Sequence, residues 1–473
     1  LNSCQKSEDS ISSSGPCYTS SPSEQGTCVS SGTLTASNKV PLLMVRVQYN
    51  NACFNSDETT WANKMFGTSE GQMNHYMAET TYNNYQFSPA SESSGCSNDG
   101  VITVNMGEDH PNTQAETWAS YAFSAITATD SSINFASYDS DGDGQLSVSE
   151  LQVIFLISGG ESATGLNYPG GVWAMATALA LDIDGDGYIN NNTPCTGTSE
   201  DCNGVEMDNV WFLGLKSSGQ NGYSQFGERQ FFSSWDATIG VMAHELGHAY
   251  FNLPDFYDTR PVPINSGIGA FGIMGGGAWG TKTSTDQKGS SPVHFSAWSK
   301  EKLGVCTPQT VSSGSDNYSL PAVYQMIDNS SSCGIYKAST STSDEYFLFE
   351  NRYAGGYDEG LNYLIYDNSS STLGNYAGGL AVWHVKDILS TCLDSNNCVV
   401  LDPPLLDLEE ANDADLDTAS SNGRTTHLFY SGNITTFDNS TTPNSNLYDD
   451  TSSDISLTNI SAAGDNMTLT ISK

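Results

Sequence analysis

Residues 239–258 read IGVMAHELGHAYFNLPDFYD, and few stretches leave a backbone less choice. Ile239, Met242, Ala243 and Leu246 recur at helical spacing and predict one buried helix face. Asp236 is the expected N-cap, and Pro254 closes what comes before it. On such a helix His244 and His248 stand one turn apart on the same side, so their imidazoles can converge on a single ion. The alternative is a polar stripe on a packed helix, but this pattern rarely arises by chance in a chain with seven histidines.

The chemistry that fits is zinc. A catalytic zinc takes three protein ligands and keeps a fourth position open, and Glu245 is placed to take a proton from water and pass it to a leaving amine. The third ligand must come from beyond the helix. A left-handed turn after the second histidine can swing a ligand back, and Asn252 is the residue best suited to it where glycine is missing. Three further on lies Asp255, which we take as the third ligand, with Asp258, His294 and Glu301 as alternatives. The glycine-rich run GIGAFGIMGGGAWG at 267–280 predicts a close-approach loop, and Met274 within it can form an apolar floor beneath the metal.

Composition narrows the partners. A formal charge of −38, from 54 acidic and 16 basic residues, repels phosphate backbones and anionic lipids. Nucleic acid is therefore excluded, while divalent cations are favoured. The stretch DSDGDGQLSVSE has the order of a calcium loop: Asp139, Asp141 and Asp143 at the first three ligand positions, the Gln145 carbonyl next, and Glu150 at the end. A second stretch, DIDGDGYINNNT, begins equally well with Asp182, Asp184 and Asp186 but ends on Thr193. In both, calcium is expected to rigidify a loop.

Eleven cysteines predict a disulfide framework and a secreted or extracellular protein. The expected pairs are Cys195–Cys202, Cys392–Cys398, Cys53–Cys96 and Cys306–Cys333; three cysteines remain, and because the total is odd at least one of them stays unpaired within the monomer. Cys4, in LNSC, resembles a bacterial lipoprotein cleavage box and is the candidate for a lipid anchor at the cell surface.

Along the chain, residues 1–36 are a Ser/Cys-rich tail. VPLLMVRVQY and LQVIFLIS predict buried strands; WANKMFG, GQMNHYMAETTY and AETWASYAFSAI predict helices. Residues 37–305 thus form an α+β domain. From 306 to 473 short segments such as EYFLFENR and GLAVWHV alternate with polar turns, which predicts a β-sandwich-like C-terminal domain.

VMAHELGHAYFNLPDFYD, followed by GIGAFGIMGGGAWG, resembles the immune inhibitor A family of secreted zinc metallopeptidases. YDSDGDGQLSVSELQVIFLISGGE, HFSAWSKEKLG, YFLFENRYAGGYDEGL and GGLAVWHV are similar to successive blocks of that family, so the likeness runs from about residue 40 onward. It implies a metzincin-like catalytic domain with His244 and His248 on zinc, Glu245 as base, Met274 in the Met-turn and a β-rich domain behind. One more residue separates His248 from LPD than in a common family form, which bears on the third ligand alone. Tyr257 or Tyr250 is a candidate to stabilise an oxyanion. The expectation is a monomeric, calcium-stabilised zinc endopeptidase acting on proteins or peptides.

Overall fold

The computed structural model describes residues 32–111, 118–162, 171–182, 193–195, 201–214, 222–230, 235–260, 263, 265–327, 333–367, 372–395, 398–412, 416–417 and 421–473. Cys4 and nearly all of the expected 1–36 tail lie outside them.

The N-terminal half is built on a seven-stranded sheet. Its strands are β1 (Asn38–Gln48), β2 (Tyr85–Pro89), β3 (Val101–Asn105), β4 (Gln152–Gly160) and β5 (Met175–Thr177), joined by two later ones. Four short strands pair off beside it, β6 (Ala180–Leu181) with β7 (Cys202–Asn203) and β8 (Val205–Met207) with β9 (Val210–Phe212). β10 (Tyr223–Gln230) and β11 (Trp235–Asp236) complete the sheet, in the order β11-β10-β4-β1-β2, with β3 on β1 and β5 on β10. β1 to β4 and β10 run parallel; β5 and β11 are antiparallel to β10 on its outer side.

A parallel sheet is covered on both faces, which is why β1 and β4 are apolar almost throughout. In β1 the side chains alternate: Leu42 and Met44 enter one core, Leu43, Val45 and Val47 the other. Arg46 breaks the run, and its guanidinium donates to Thr103 Oγ1 (3.0 Å) and the Ser56 carbonyl (2.6 Å). The helices α1 (Glu58–Phe66) and α2 (Met73–Thr80) fill the first core, capped in α1 by Asp57, which accepts from Thr60 N at 2.7 Å. α3 (Ala119–Thr127) fills the second, behind Trp118. α4 (Ile239–Ala249) joins α1 and α2.

After α5 (Ala297–Lys302) come β12 (Gln309–Thr310), β13 (Ser315–Pro321), β14 (Tyr336–Ser339), β15 (Glu345–Asn351), β16 (Leu380–Lys386), β17 (Leu406–Leu408), β18 (Ser456–Thr458) and β19 (Asn466–Ser472). They form a five-stranded sheet, β12-β14-β15-β16-β17, and a three-stranded one, β13-β19-β18. Period-two alternation gives the larger sheet two apolar faces. Phe347, Phe349 and Val382 meet Leu457, Leu469 and Ile471 of the smaller sheet. On the other face Leu348, Trp383 and Val385 share a core with Trp298 and with α2 and α4. The chain around residue 305 is thus packed, since Leu303 and Val305 belong to that shared core.

Three disulfides close between described residues: Cys195–Cys202, Cys306–Cys333 and Cys392–Cys398, with Cα separations of 4.9, 5.4 and 4.6 Å. The expected Cys53–Cys96 bond is not among them, although each of the two is disulfide-bonded. Among the described residues no helix is long and apolar enough to cross a membrane.

Candidate metal centre and cleft

α4 starts two residues later than its sequence suggests. Asp236 lies in β11, where its carboxylate pairs with Arg229, so it is not the cap. Thr238 holds the N-cap position, its hydroxyl donating to the Lys288 carbonyl at 2.8 Å. Two glycines let the 267–280 loop press onto the helix. A Cβ at Gly240 would sit 2.0 Å from the Ala278 carbonyl oxygen, and one at Gly247 2.4 Å from Met274 Sδ. Met274 therefore lies directly beneath the histidine turn, 1% exposed.

Beyond the helix Asn252 adopts φ +52°, the left-handed conformation. Its N–H donates to the His248 carbonyl (3.0 Å), and Leu253 N–H to that of Gly247 (3.0 Å), which ends the helix and reverses the chain. Three residues later Asp255 points back. Its Oδ1 lies 3.1 Å from Nε2 of both His244 and His248, and those two nitrogens are 3.2 Å apart.

The remaining ring nitrogens fix the tautomers. His244 Nδ1 faces the Ile273 carbonyl at 2.8 Å, and His248 Nδ1 the Leu253 carbonyl at 2.6 Å. A carbonyl only accepts, so Nδ1 carries the proton and each neutral Nε2 offers its lone pair to one point. A tetrahedral ion with bonds of ~2.0–2.1 Å needs donors about 3.3 Å apart, which the 3.1–3.2 Å triangle nearly meets. Two imidazoles and one carboxylate suit zinc.

Charge reinforces the fit. Burial favours the neutral form of both histidines, yet Asp255 outweighs it and raises both pKa values. Burial works against the Asp255 charge as well, but the two histidines hold its carboxyl far below the usual range. Burial pushes Glu245 up to about 8, assisted by Asp255 and Glu161 and opposed by His244 and the Ala176 N–H. A cation at this point would therefore compete with protons for the two imidazoles.

The alternative ligands are engaged elsewhere. Asp258 pairs with Arg260 (2.6 Å), His294 Nε2 with Glu79 (3.0 Å), and Glu301 with Lys337 (2.8 Å). Tyr250 packs its ring against Tyr85, Phe87 and Phe251. Tyr257 stands at the centre, its ring 6.1 Å from that of His244, and burial, assisted by the nearby Asp255 and Glu245 carboxylates, raises its phenol well above the usual range.

A cleft of about 450 Å³ opens over this group, walled by Trp173, Val241, His244, Glu245, Tyr257 and Trp279. Trp173 and Tyr257 are 46% and 39% exposed, high for large aromatics. The residue before β5 is fastened by Glu161, which accepts from Ala174 N–H (3.0 Å) and from Gly227 N–H in β10 (2.9 Å). Neither Trp173 nor Glu161 was foreseen. The available signal was Glu161's place directly after β4, since parallel sheets bring function to the carboxyl ends of their strands.

In the first acidic loop Asp139, Asp141 and Asp143 gather their oxygens within 4.8 Å of one another. Asp139 accepts from the N–H groups of Gly142 (2.8 Å) and Gly144 (3.0 Å), both in positive φ. Gln145 bridges to Trp211, which ties the loop to β9. Glu150 stands apart from the trio: its oxygens accept from Ser140 and Ser147, and its pKa falls to about 2 because these bonds overcome burial. Of the second loop only its two ends, Asp182 and Thr193, are described; Asp184 and Asp186 lie outside the described residues.

Residues 221–306 match the family model of the immune inhibitor A peptidase M6 catalytic domain. That span holds α4, Asp255, the 267–280 loop and α5, and marks a metallopeptidase. No curated protein matches the chain.

Proposed function

We propose, from this metallopeptidase catalytic segment, that the protein is a secreted zinc endopeptidase with a metzincin-like catalytic domain, a β-sandwich-like C-terminal domain and calcium-stiffened loops. The observation that carries it is the convergence of His244, His248 and Asp255 on one point, with Glu245 beside it and a cleft above. These three residues would hold a zinc ion, which would supply Lewis-acid chemistry toward the scissile carbonyl and water.

The remaining steps belong to the chain itself. Glu245, on the same helix, takes the proton of the attacking water and returns it to the leaving amine. The Tyr257 hydroxyl, on the wall of the cleft, donates to the oxyanion. Among the described residues β5 pairs only with β10, so its outer edge is offered to an extended substrate backbone. Trp173 and Tyr257 flank the cleft and shield the reacting carbonyl from water.

Metal analysis tests the reading. The purified protein is expected to carry one zinc in the catalytic centre, to lose hydrolysis of an unfolded protein on chelation and to regain it with one equivalent of zinc. Full hydrolysis by metal-free protein would refute it.

A further inference from the structure

We infer that Arg352, at the end of β15 in the C-terminal sheet, is a positioning residue for the metal centre, setting the orientation of His244 through the 267–280 loop. The inference rests on reading that centre as a zinc site.

Arg352 is wholly buried, and so are its partners Glu350 and Asp358. Its guanidinium forks onto Asp358, with Nη2–Oδ1 at 2.7 Å, and Nη1 also donates to the Phe271 carbonyl. Asp358 Oδ1 in turn accepts the His294 N–H at 3.1 Å, and the His294 carbonyl accepts the Ile273 N–H at 3.2 Å. The Ile273 carbonyl is the acceptor of His244 Nδ1. Arg352 therefore grips residues 271 and 273 by two routes, one direct and one through Asp358 and His294. Between them lies Gly272, which gives the loop no side chain of its own to hold it.

The surroundings argue that this is a task and not filler. Lys300 on α5 pairs with Glu350 at 3.1 Å, and Trp383 Nε1 donates to Glu350 at 3.0 Å. Two cations and two carboxylates are thus sealed between the sheet and the catalytic half. Apolar side chains of the same volume stabilise such a location as well or better. What they cannot do is hold a backbone carbonyl at a fixed point, and a planar fork does that better than any other side chain. Groups that orient a metal-bound imidazole typically change metal affinity or activity 10–100-fold when altered.

The test uses the full-length protein. In Arg352→Lys the charge stays while the fork is lost, and zinc affinity by chelator competition is expected to weaken about 10–100-fold, with kcat reduced and KM little changed. Val382→Ala, which opens a cavity on the far face of the same sheet, serves as the control for lost stability alone and is expected to bind zinc as wild type does. Asp358→Asn, which breaks the second route, is expected to weaken zinc in the same direction. A wild-type measurement needs no variant: coupling is reciprocal, so removing zinc is expected to speed amide exchange at 271–274 and 352–358 but not in β13 or β19. Folded Arg352→Lys or Asp358→Asn binding zinc like Val382→Ala, or exchange unchanged at 271–274 on zinc removal, would overturn the inference. Wild-type protein that takes up no zinc would instead refute the proposed function.

Discussion

Gly247, between the two histidines, provides a sharp test of the packing beneath the metal. In an ordinary helix interior Gly→Ala stabilises by about 1 kcal/mol. Here the new Cβ would lie 2.4 Å from Met274 Sδ, 3.1 Å from its Cε and 3.8 Å from Phe295 Cε1. Met274 is 1% exposed and Phe295 fully buried, so the thioether can give way only into surroundings that are already packed. Overpacking of this kind costs about 1–3 kcal/mol, which outweighs the propensity gain and makes Gly247→Ala destabilising by up to ~2 kcal/mol. With Met274→Ala already in place the same Cβ enters the space left by the sulfur, and Gly247→Ala is expected to stabilise by about 1 kcal/mol. The sign therefore reverses between backgrounds, a coupling of ~1–3 kcal/mol that a double-mutant cycle resolves. Urea unfolding of the four metal-free proteins, followed by tryptophan fluorescence, measures it. A stabilising Gly247→Ala in both backgrounds would show that Met274 does not support the histidine turn.

Three further outcomes follow from the same geometry. Asp255→Ala is expected to weaken zinc binding at least 100-fold with the helix content kept, while Asp258→Ala, whose partner is Arg260, leaves zinc bound; the reverse pattern would reassign the ligand. In the metal-free protein the raised histidines stabilise below their unfolded pKa of ~6.5 and lose that contribution as pH rises, whereas the depressed Asp255 stabilises above ~3.9 and loses it as pH falls. Zinc must displace those histidine protons, so the rise in melting temperature on adding zinc is expected to grow from pH 5.5 to pH 8; a pH-independent rise would contradict the assignment. Calcium at 100 times its dissociation constant is expected to add about 2.7 kcal/mol and to slow proteolysis at 139–150, an effect that Asp141→Ala removes; equal protection in that variant would refute calcium binding there.

What could be read in advance were features whose cause is local. β1 and β4 announce themselves by unbroken apolar runs, and α4 by its spacing. The turn that brings Asp255 back was legible because Asn252 tolerates positive φ where most residues do not. The N-cap was misplaced because Asp236 is claimed by a strand pair with Arg229, a tertiary demand that cap preference cannot register. Cys53 and Cys96 lie at a plausible spacing, but connectivity is a property of the fold. Arg352 and Glu161 sit 108 and 84 residues from His244 and Glu245 in the chain, and their contacts exist only once the sheets are packed. The match over residues 221–306 covers the histidine helix and its loop; the C-terminal sheet that holds that loop lies beyond it.

The most direct measurement compares wild type with Glu245→Gln on an unfolded protein substrate, with bound zinc determined in both. The account predicts one catalytic zinc in each and a turnover about 10²–10⁴-fold lower in the variant, the usual loss for a general base. Equal turnover with zinc bound in both would contradict it.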